Sequence, residues 1–289
     1  MNSSIFTTTQ YAINELKDTY PEEEVRSICR LIFSDIFQYT NIEIHLKKYT
    51  CLPESFVNKF YAVVEELKQG RPVQYIIGET EFAGLRFRVD ESTLIPRPET
   101  EELVRWAGES VRPGMRILDI GTGSGCIAVA IAKRTPGASV CGMDISPEAL
   151  AVAKENAARN KAEVFFGAGD ILAGAAGWDG PYDLIISNPP YVREFEKAQM
   201  ARRVVAYEPE QALFVPDSDP LLFYRAIARF GRTRLTPGGL LFVEINEALE
   251  AETVRLLQEA GYAAVTGRKD LFGKPRFIRA EQTDLPYGS

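Results

Sequence analysis

The stretch Arg116-Ile117-Leu118-Asp119-Ile120-Gly121-Thr122-Gly123-Ser124-Gly125-Cys126-Ile127-Ala128 decides the fold. A short apolar strand runs into a glycine-rich turn, and the apolar pattern from Cys126 to Lys133 reads as a helix. Such a turn sets backbone N–H groups and a positive helix end beside a ligand, as a nucleotide-like molecule requires. A dinucleotide site wants glycine at 121, 123 and 126, but position 126 is cysteine and the third glycine stands at 125. No lysine followed by serine or threonine closes the turn, which disfavours a phosphate-cradling NTPase loop.

Downstream, Ser139-Val140-Cys141-Gly142-Met143-Asp144 is a second apolar strand, ending in an acid about 20 residues past the glycines. That is where ribose hydroxyls are held, and Asp144 reads as their bidentate acceptor. Asp119, just before the first glycine, can face a ligand amino group or cap the turn.

A further strand, Asp183 to Ser187, closes on Asn188-Pro189-Pro190-Tyr191. Each proline fixes its own φ and lacks an N–H, and the residue before a proline is pushed toward extended backbone. Asn188 and nearby carbonyls therefore become pre-set acceptors for the two hydrogens of an amide or exocyclic amine, aiming its nitrogen at an electrophile. Tyr191 can cover the flat face of the held group. Alone, the tetrapeptide reads equally well as a turn after a strand.

Together, a glycine turn without phosphate features, a ribose acid on the second strand and Asn-Pro-Pro-Tyr on the fourth point to S-adenosylmethionine, with S-adenosylhomocysteine as product. Its methyl is already activated, so a protein has chiefly to orient and dehydrate. No metal is expected: His45 is the single histidine, and the cysteines at 29, 51, 126 and 141 lack metal-ligand spacing. His45 reads as a surface or packing residue, and nothing supports a histidine-dependent triad.

Over nearly its whole length the chain resembles the release-factor glutamine methyltransferases, the HemK/PrmC family. The matching stretches are Pro72 to Gly78, Leu94-Ile95-Pro96-Arg97-Pro98-Glu99-Thr100-Glu101, Ile117 to Ala128, Asn188 to Val192 and Tyr207-Glu208-Pro209. The glycine turn and Asn-Pro-Pro-Tyr are shared by many methyltransferases; Ile95 to Glu101 is the discriminating stretch. The resemblance implies methylation of the side-chain amide nitrogen of the glutamine in the Gly-Gly-Gln loop of class I peptide-chain release factors. It implies that Gly121, Thr122, Gly123, Ser124, Gly125, Asp144 and Ile145 hold the cofactor, and that Ile171, after Asp170, lines the adenine. Asn188 and the Pro189 carbonyl would accept both amide hydrogens, with Pro190 and Tyr191 completing the catalytic corner. Arg97, Glu99 and Thr100 would approach the cofactor mouth, although two prolines one residue apart equally make a stiff spacer between domains. Glu244, ending Leu240 to Glu244, lies at the ligand edge but reads as a solvated strand-end acid and is not assigned to the site. No dedicated base is evident.

At 289 residues with 45% hydrophobic content, the chain exceeds one typical domain. Apolar positions Val25, Ile28, Ile32, Phe33 and Ile36 after Pro21, and Phe56, Phe60, Val63, Val64 and Leu67 after Pro53, recur at helical spacing. Residues 1–72 are expected as a helical substrate-docking domain, 73–98 as a β-hairpin (with Tyr75 to Gly78 in its first strand) and linker, and 99–289 as the methyltransferase domain. In the last, strands at 115–120, 139–144, 163–166, 182–187 and 240–245 alternate with helices. An antiparallel edge pair, Ala263 to Thr266 and Arg276 to Arg279, completes the expected α/β fold, a seven-stranded, mostly parallel class I methyltransferase sheet.

The formal charge of −7 disfavours a general nucleic-acid binder, so no direct nucleic-acid contact is expected. No apolar run reaches transmembrane length and the first residues lack a signal core, so a cytoplasmic protein without membrane contact is expected; a monomer is expected as well. Two other readings stay open: a methyltransferase acting on a flipped base of DNA or RNA, with Tyr191 stacked on it, and a binding protein using the fold as a scaffold.

Overall fold

The structure, a computed structural model, describes residues 3–283. The chain divides into two compact units. The first runs to Glu79 and takes in residues 201–207; the second comprises 80–200 and 208–289.

The first unit is helical. Helices Ile5–Leu16, Glu22–Leu31 and Glu54–Lys68 enclose a core in which Val25, Ile32, Phe60 and Val64 are fully buried. Pro21 and Pro53 stand just ahead of the second and third of these helices, where a missing N–H costs nothing. Ser4 and Thr7 form a capping box on Ile5–Leu16, a helix the sequence reading did not single out. Tyr75 to Gly78, expected as a strand, belongs to the short helix Val73–Ile77, which ends on Gly78 at φ 82°. Val73 and Tyr75 are both buried in that turn, and tertiary burial outweighs their β propensity. The hairpin itself is Glu79–Phe82 with Leu85–Arg88.

The second unit is built on a seven-stranded sheet. Its strands in chain order are Arg116–Ile120, Ser139–Asp144, Val164–Ala168, Tyr182–Ser187, Leu235–Glu244, Tyr262–Lys269 and Pro275–Gln282, called here the first to the seventh. Across the sheet the order is sixth, seventh, fifth, fourth, first, second, third. The first five are mutually parallel, and the seventh runs antiparallel between the fifth and sixth. Both faces are covered. Ile117, Leu184, Ile186 and Phe242 pack toward Leu103, Val104 and Ala128, whereas Leu118, Ile185, Leu241 and Val243 pack toward Tyr224, Ile227 and Leu257. Side chains alternate across a strand, so burial on two sides demands apolar residues at consecutive positions. Chain order reverses between the first and fourth strands, and ligands of open α/β sheets bind at the carboxyl ends beside such a reversal.

Candidate active site

The ends of the first four strands open onto a cavity of about 370 Å³. At its floor the glycine turn folds toward the second strand: Gly121 N and Thr122 N both donate to the Met143 carbonyl, at 2.8 and 2.9 Å. Gly121 and Gly123 have φ of 73° and 53°, and nothing lies within 4 Å of where a side chain would start. Glycine is used there for its backbone and leaves open space above the turn. Gly125, at φ 80°, is needed for packing as well, because a Cβ would meet Ala153 Cβ at 3.0 Å and Phe166 Cζ at 3.1 Å.

Asp144 lines the wall. Its Oδ2 accepts from Gly123 N at 2.8 Å and its Oδ1 from Ser146 N at 3.0 Å. Burial raises its pKa, and these backbone bonds oppose the rise. Asp119 is fully buried; burial pushes its carboxyl up to about 7 against the Thr122 hydroxyl, which donates to Oδ2 at 2.6 Å. Its Oδ1 and the buried Ser124 Oγ have no hydrogen-bond partner.

Asn188 follows the fourth strand, whose Ser187 Oγ donates to the Ile120 carbonyl at 2.7 Å and ties the two strand ends together. Asn188 Nδ2 donates to Thr100 Oγ1 at 3.1 Å, and Thr100 donates to Glu244 Oε2 at 2.8 Å. Tyr191, expected over a flat ligand group, sends its hydroxyl to Glu244 Oε1 at 2.9 Å. Glu244 is not the solvated strand-end acid the sequence reading made it: it is 1% exposed. The parallel register sets Val243 beside Ser187, so Glu244 follows one neighbour of that pair as Asn188 follows the other. Burial pushes the Glu244 carboxyl up to about 7; the Thr100 and Tyr191 bonds and the Arg276 charge pull it down, and Glu99 pushes it up. Asn246, absent from the sequence reading, donates from Nδ2 to the Tyr191 carbonyl at 3.1 Å and to Glu196 Oε2 at 3.0 Å, bracing the proline corner. The signal for both residues was their place at the end of the fifth strand, which becomes informative only once that strand is known to neighbour the fourth.

Of the residues expected at the site, Gly121, Gly123, Asp144, Ile145, Asp170, Ile171, Asn188, Pro189 and Pro190 line the cavity. Asp119, Thr122, Ser124 and Gly125 are buried and form no part of its wall, and neither do Glu99, Thr100 or Tyr191. Ser92, Thr93 and Leu94 complete one side, just ahead of the proline linker. The described wall residues include two acids, Asp144 and Asp170, and no lysine, arginine or histidine. An acid-bearing, otherwise largely apolar wall suits a cationic ligand with hydroxyls and repels phosphate. The residues therefore fit S-adenosylmethionine: glycines open the floor and Asp144 can accept from a ribose.

Two family models match the chain, "PrmC N-terminal domain" over residues 8–78 and "Methyltransferase small domain" over 105–213. A release factor glutamine methyltransferase of Bacteroides thetaiotaomicron is 43% identical over 274 residues, covering 95% of this chain and 99% of that one. Another, of Flavobacterium psychrophilum, is 42% identical over 276 residues, covering 94% and 96%. Among solved structures, a methyltransferase from Pyrococcus furiosus superposes with a TM-score of 0.51 at 21% identity, covering 69% of this chain and 90% of that one, a likeness of fold.

Proposed function

Since the chain belongs to the release factor glutamine methyltransferase family, we propose that it methylates the side-chain amide nitrogen of the glutamine in the Gly-Gly-Gln motif of class I peptide-chain release factors. One observation carries the reading: Asn188 turns its Nδ2 to Thr100, which leaves Oδ1 as the acceptor at a cavity walled by Asp144 and the glycine turn.

S-adenosylmethionine, when bound, supplies an activated methyl group on a sulfonium. Of the residues that line the cavity, Asp144 would accept from the ribose, and Ile145 and Ile171 would give apolar wall for the adenine. Asn188 Oδ1 and the Pro189 carbonyl take the two hydrogens of the glutamine amide. An amide nitrogen is a poor nucleophile because its lone pair is delocalised into the carbonyl; acceptors placed for a pyramidal nitrogen favour the attacking form. Held this way, the nitrogen lone pair would face the methyl that the cofactor supplies. The amide proton leaves afterwards, since an N-methylated amide cation is strongly acidic, and no base is needed at the nitrogen. Pro189 and Pro190 carry no N–H that could compete for these acceptors.

The helical unit is assigned the docking of the release-factor body. The net charge of −7 supports an enzyme without direct nucleic-acid contact, and the reading carries with it a cytoplasmic monomer. The test is incubation with methyl-labelled cofactor and purified release factor, followed by mass spectrometry of the Gly-Gly-Gln peptide. Label on that glutamine is expected; label on nucleic acid supplied in its place, or cofactor binding without transfer, would overturn the reading.

A further inference from the structure

Thr100 and Glu244 hold no place in the cavity wall, yet they decide what the wall presents. The Thr100 hydroxyl has one hydrogen and stands 2.8 Å from Glu244 Oε2 and 3.1 Å from Asn188 Nδ2. An ionised carboxylate only accepts, so that hydrogen goes to Glu244 and Thr100 Oγ1 is left to accept from Asn188. The other Glu244 oxygen is taken by the Tyr191 hydroxyl at 2.9 Å. Each hydroxyl hydrogen in this chain of four side chains then has one place, and the Asn188 carboxamide is held with its nitrogen on Thr100.

We propose that Glu244 is a positioning residue for methyl transfer, acting through Thr100 to set the Asn188 carboxamide with its acceptor, not its donor, toward the substrate nitrogen. The inference rests on the reading that Asn188 receives the glutamine amide. A donor at position 244 would turn the Thr100 hydrogen toward Asn188. The carboxamide would then offer its NH2 to a group that is itself a donor.

Glu244→Gln conserves shape and supplies that donor, Thr100→Val removes the relay, and Thr100→Ser restores it. The charged and titratable groups facing Glu244 are Tyr191, Tyr224, Arg276 and Glu99. Glu244→Gln is expected to lower kcat about 100-fold, the usual effect of losing one preorganised transition-state contact, with cofactor affinity by calorimetry unchanged. Thr100→Val is expected to fall in the same direction and Thr100→Ser to recover. Wild-type kcat is expected to rise with pH through about 7 as Glu244 ionises, a dependence that Glu244→Gln should lose. A second readout needs no substrate: the side-chain amide resonances of Asn188, identified by their loss in Asn188→Ala, should shift in Glu244→Gln and Thr100→Val and return in Thr100→Ser. Unchanged Asn188 resonances, or wild-type turnover by both Glu244→Gln and Thr100→Val, would overturn the proposal. A wild-type protein that transfers nothing to the Gly-Gly-Gln glutamine would instead overturn the functional reading, which keeps the two failures apart.

Discussion

Arg97 Nη2 stands 2.6 Å from Glu208 Oε1, an ion pair that ties the proline linker to a residue more than a hundred positions later in the chain. The Glu208 side chain is 1% exposed, and its second oxygen accepts from Ile95 N at 3.2 Å. One carboxylate thus fixes both ends of Ile95-Pro96-Arg97, immediately after the cavity residues Ser92 to Leu94. Glu208→Ala leaves a buried N–H and a guanidinium without their acceptor. A loss of about 3 kcal/mol is expected in denaturant titrations, together with weaker cofactor binding. An unchanged midpoint would show that the two prolines hold the linker unaided.

Asn188→Ala removes the acceptor at the corner of the cavity and leaves Asp144 and the glycine turn in place. Transfer is expected to fall by about two to three orders of magnitude, with the cofactor dissociation constant little altered. Single-turnover kinetics at saturating cofactor check this; normal turnover would remove Asn188 from the mechanism.

Asp144→Ala is expected to act the other way round, on binding first. A charged acceptor for buried hydroxyls contributes about 1.5–3 kcal/mol, which corresponds to an affinity loss of roughly ten- to a hundredfold. The same change frees Gly123 N and Ser146 N, so the turn loosens in the absence of ligand as well. Calorimetric titration that finds unaltered affinity contradicts the assignment.

Two fully buried carboxyls give stability a pH dependence. Asp119 and Glu244 titrate at about 7 in the folded protein, raised from ordinary values of 3.8 and 4.5. Between those limits the folded state holds protons that the unfolded chain has released. Their contribution to stability is therefore full below about pH 4, declines as pH rises, and is gone above about pH 7. Denaturation midpoints at about pH 5 and about pH 8 should differ in that sense, and Asp119→Asn or Glu244→Gln should each flatten the difference. A slope of opposite sign in the wild type would mean that other groups dominate.

The strands around the glycine turn were legible because they are buried on both faces and so read as unbroken apolar runs. Arg116–Ile120, Ser139–Asp144 and Tyr182–Ser187 all fall within a residue of where the pattern puts them. Asp144 and Asn188 were readable for a related reason, since each follows such a run and needs no knowledge of its neighbours. Glu244 was not. Whether a strand-end acid meets water or a hydroxyl depends on the adjacent strand, and that the fifth strand lies against the fourth is a fact of topology, absent from local spacing. Tyr75 to Gly78 failed differently, because β-branched and aromatic residues suit a strand or a buried helical turn, and tertiary burial chose the turn. The two-residue pairing of Val192–Arg193 with Phe214–Val215 is too short to leave a pattern at all.

The helical unit is discontinuous in sequence. Arg203 pairs with Glu24 at 2.8 Å, and the Tyr207 hydroxyl donates to the Gln69 carbonyl at 3.2 Å, so residues 201–207 complete a body whose remainder ends at Glu79. A ribosome therefore releases the last piece of this body only after more than half of the chain has been made. No single cut in the gene yields both halves whole: a fragment stopped near residue 79 lacks residues 201–207, and one begun there carries them without the rest of their unit. Replacing this helical unit would require exchanging two separate stretches at once.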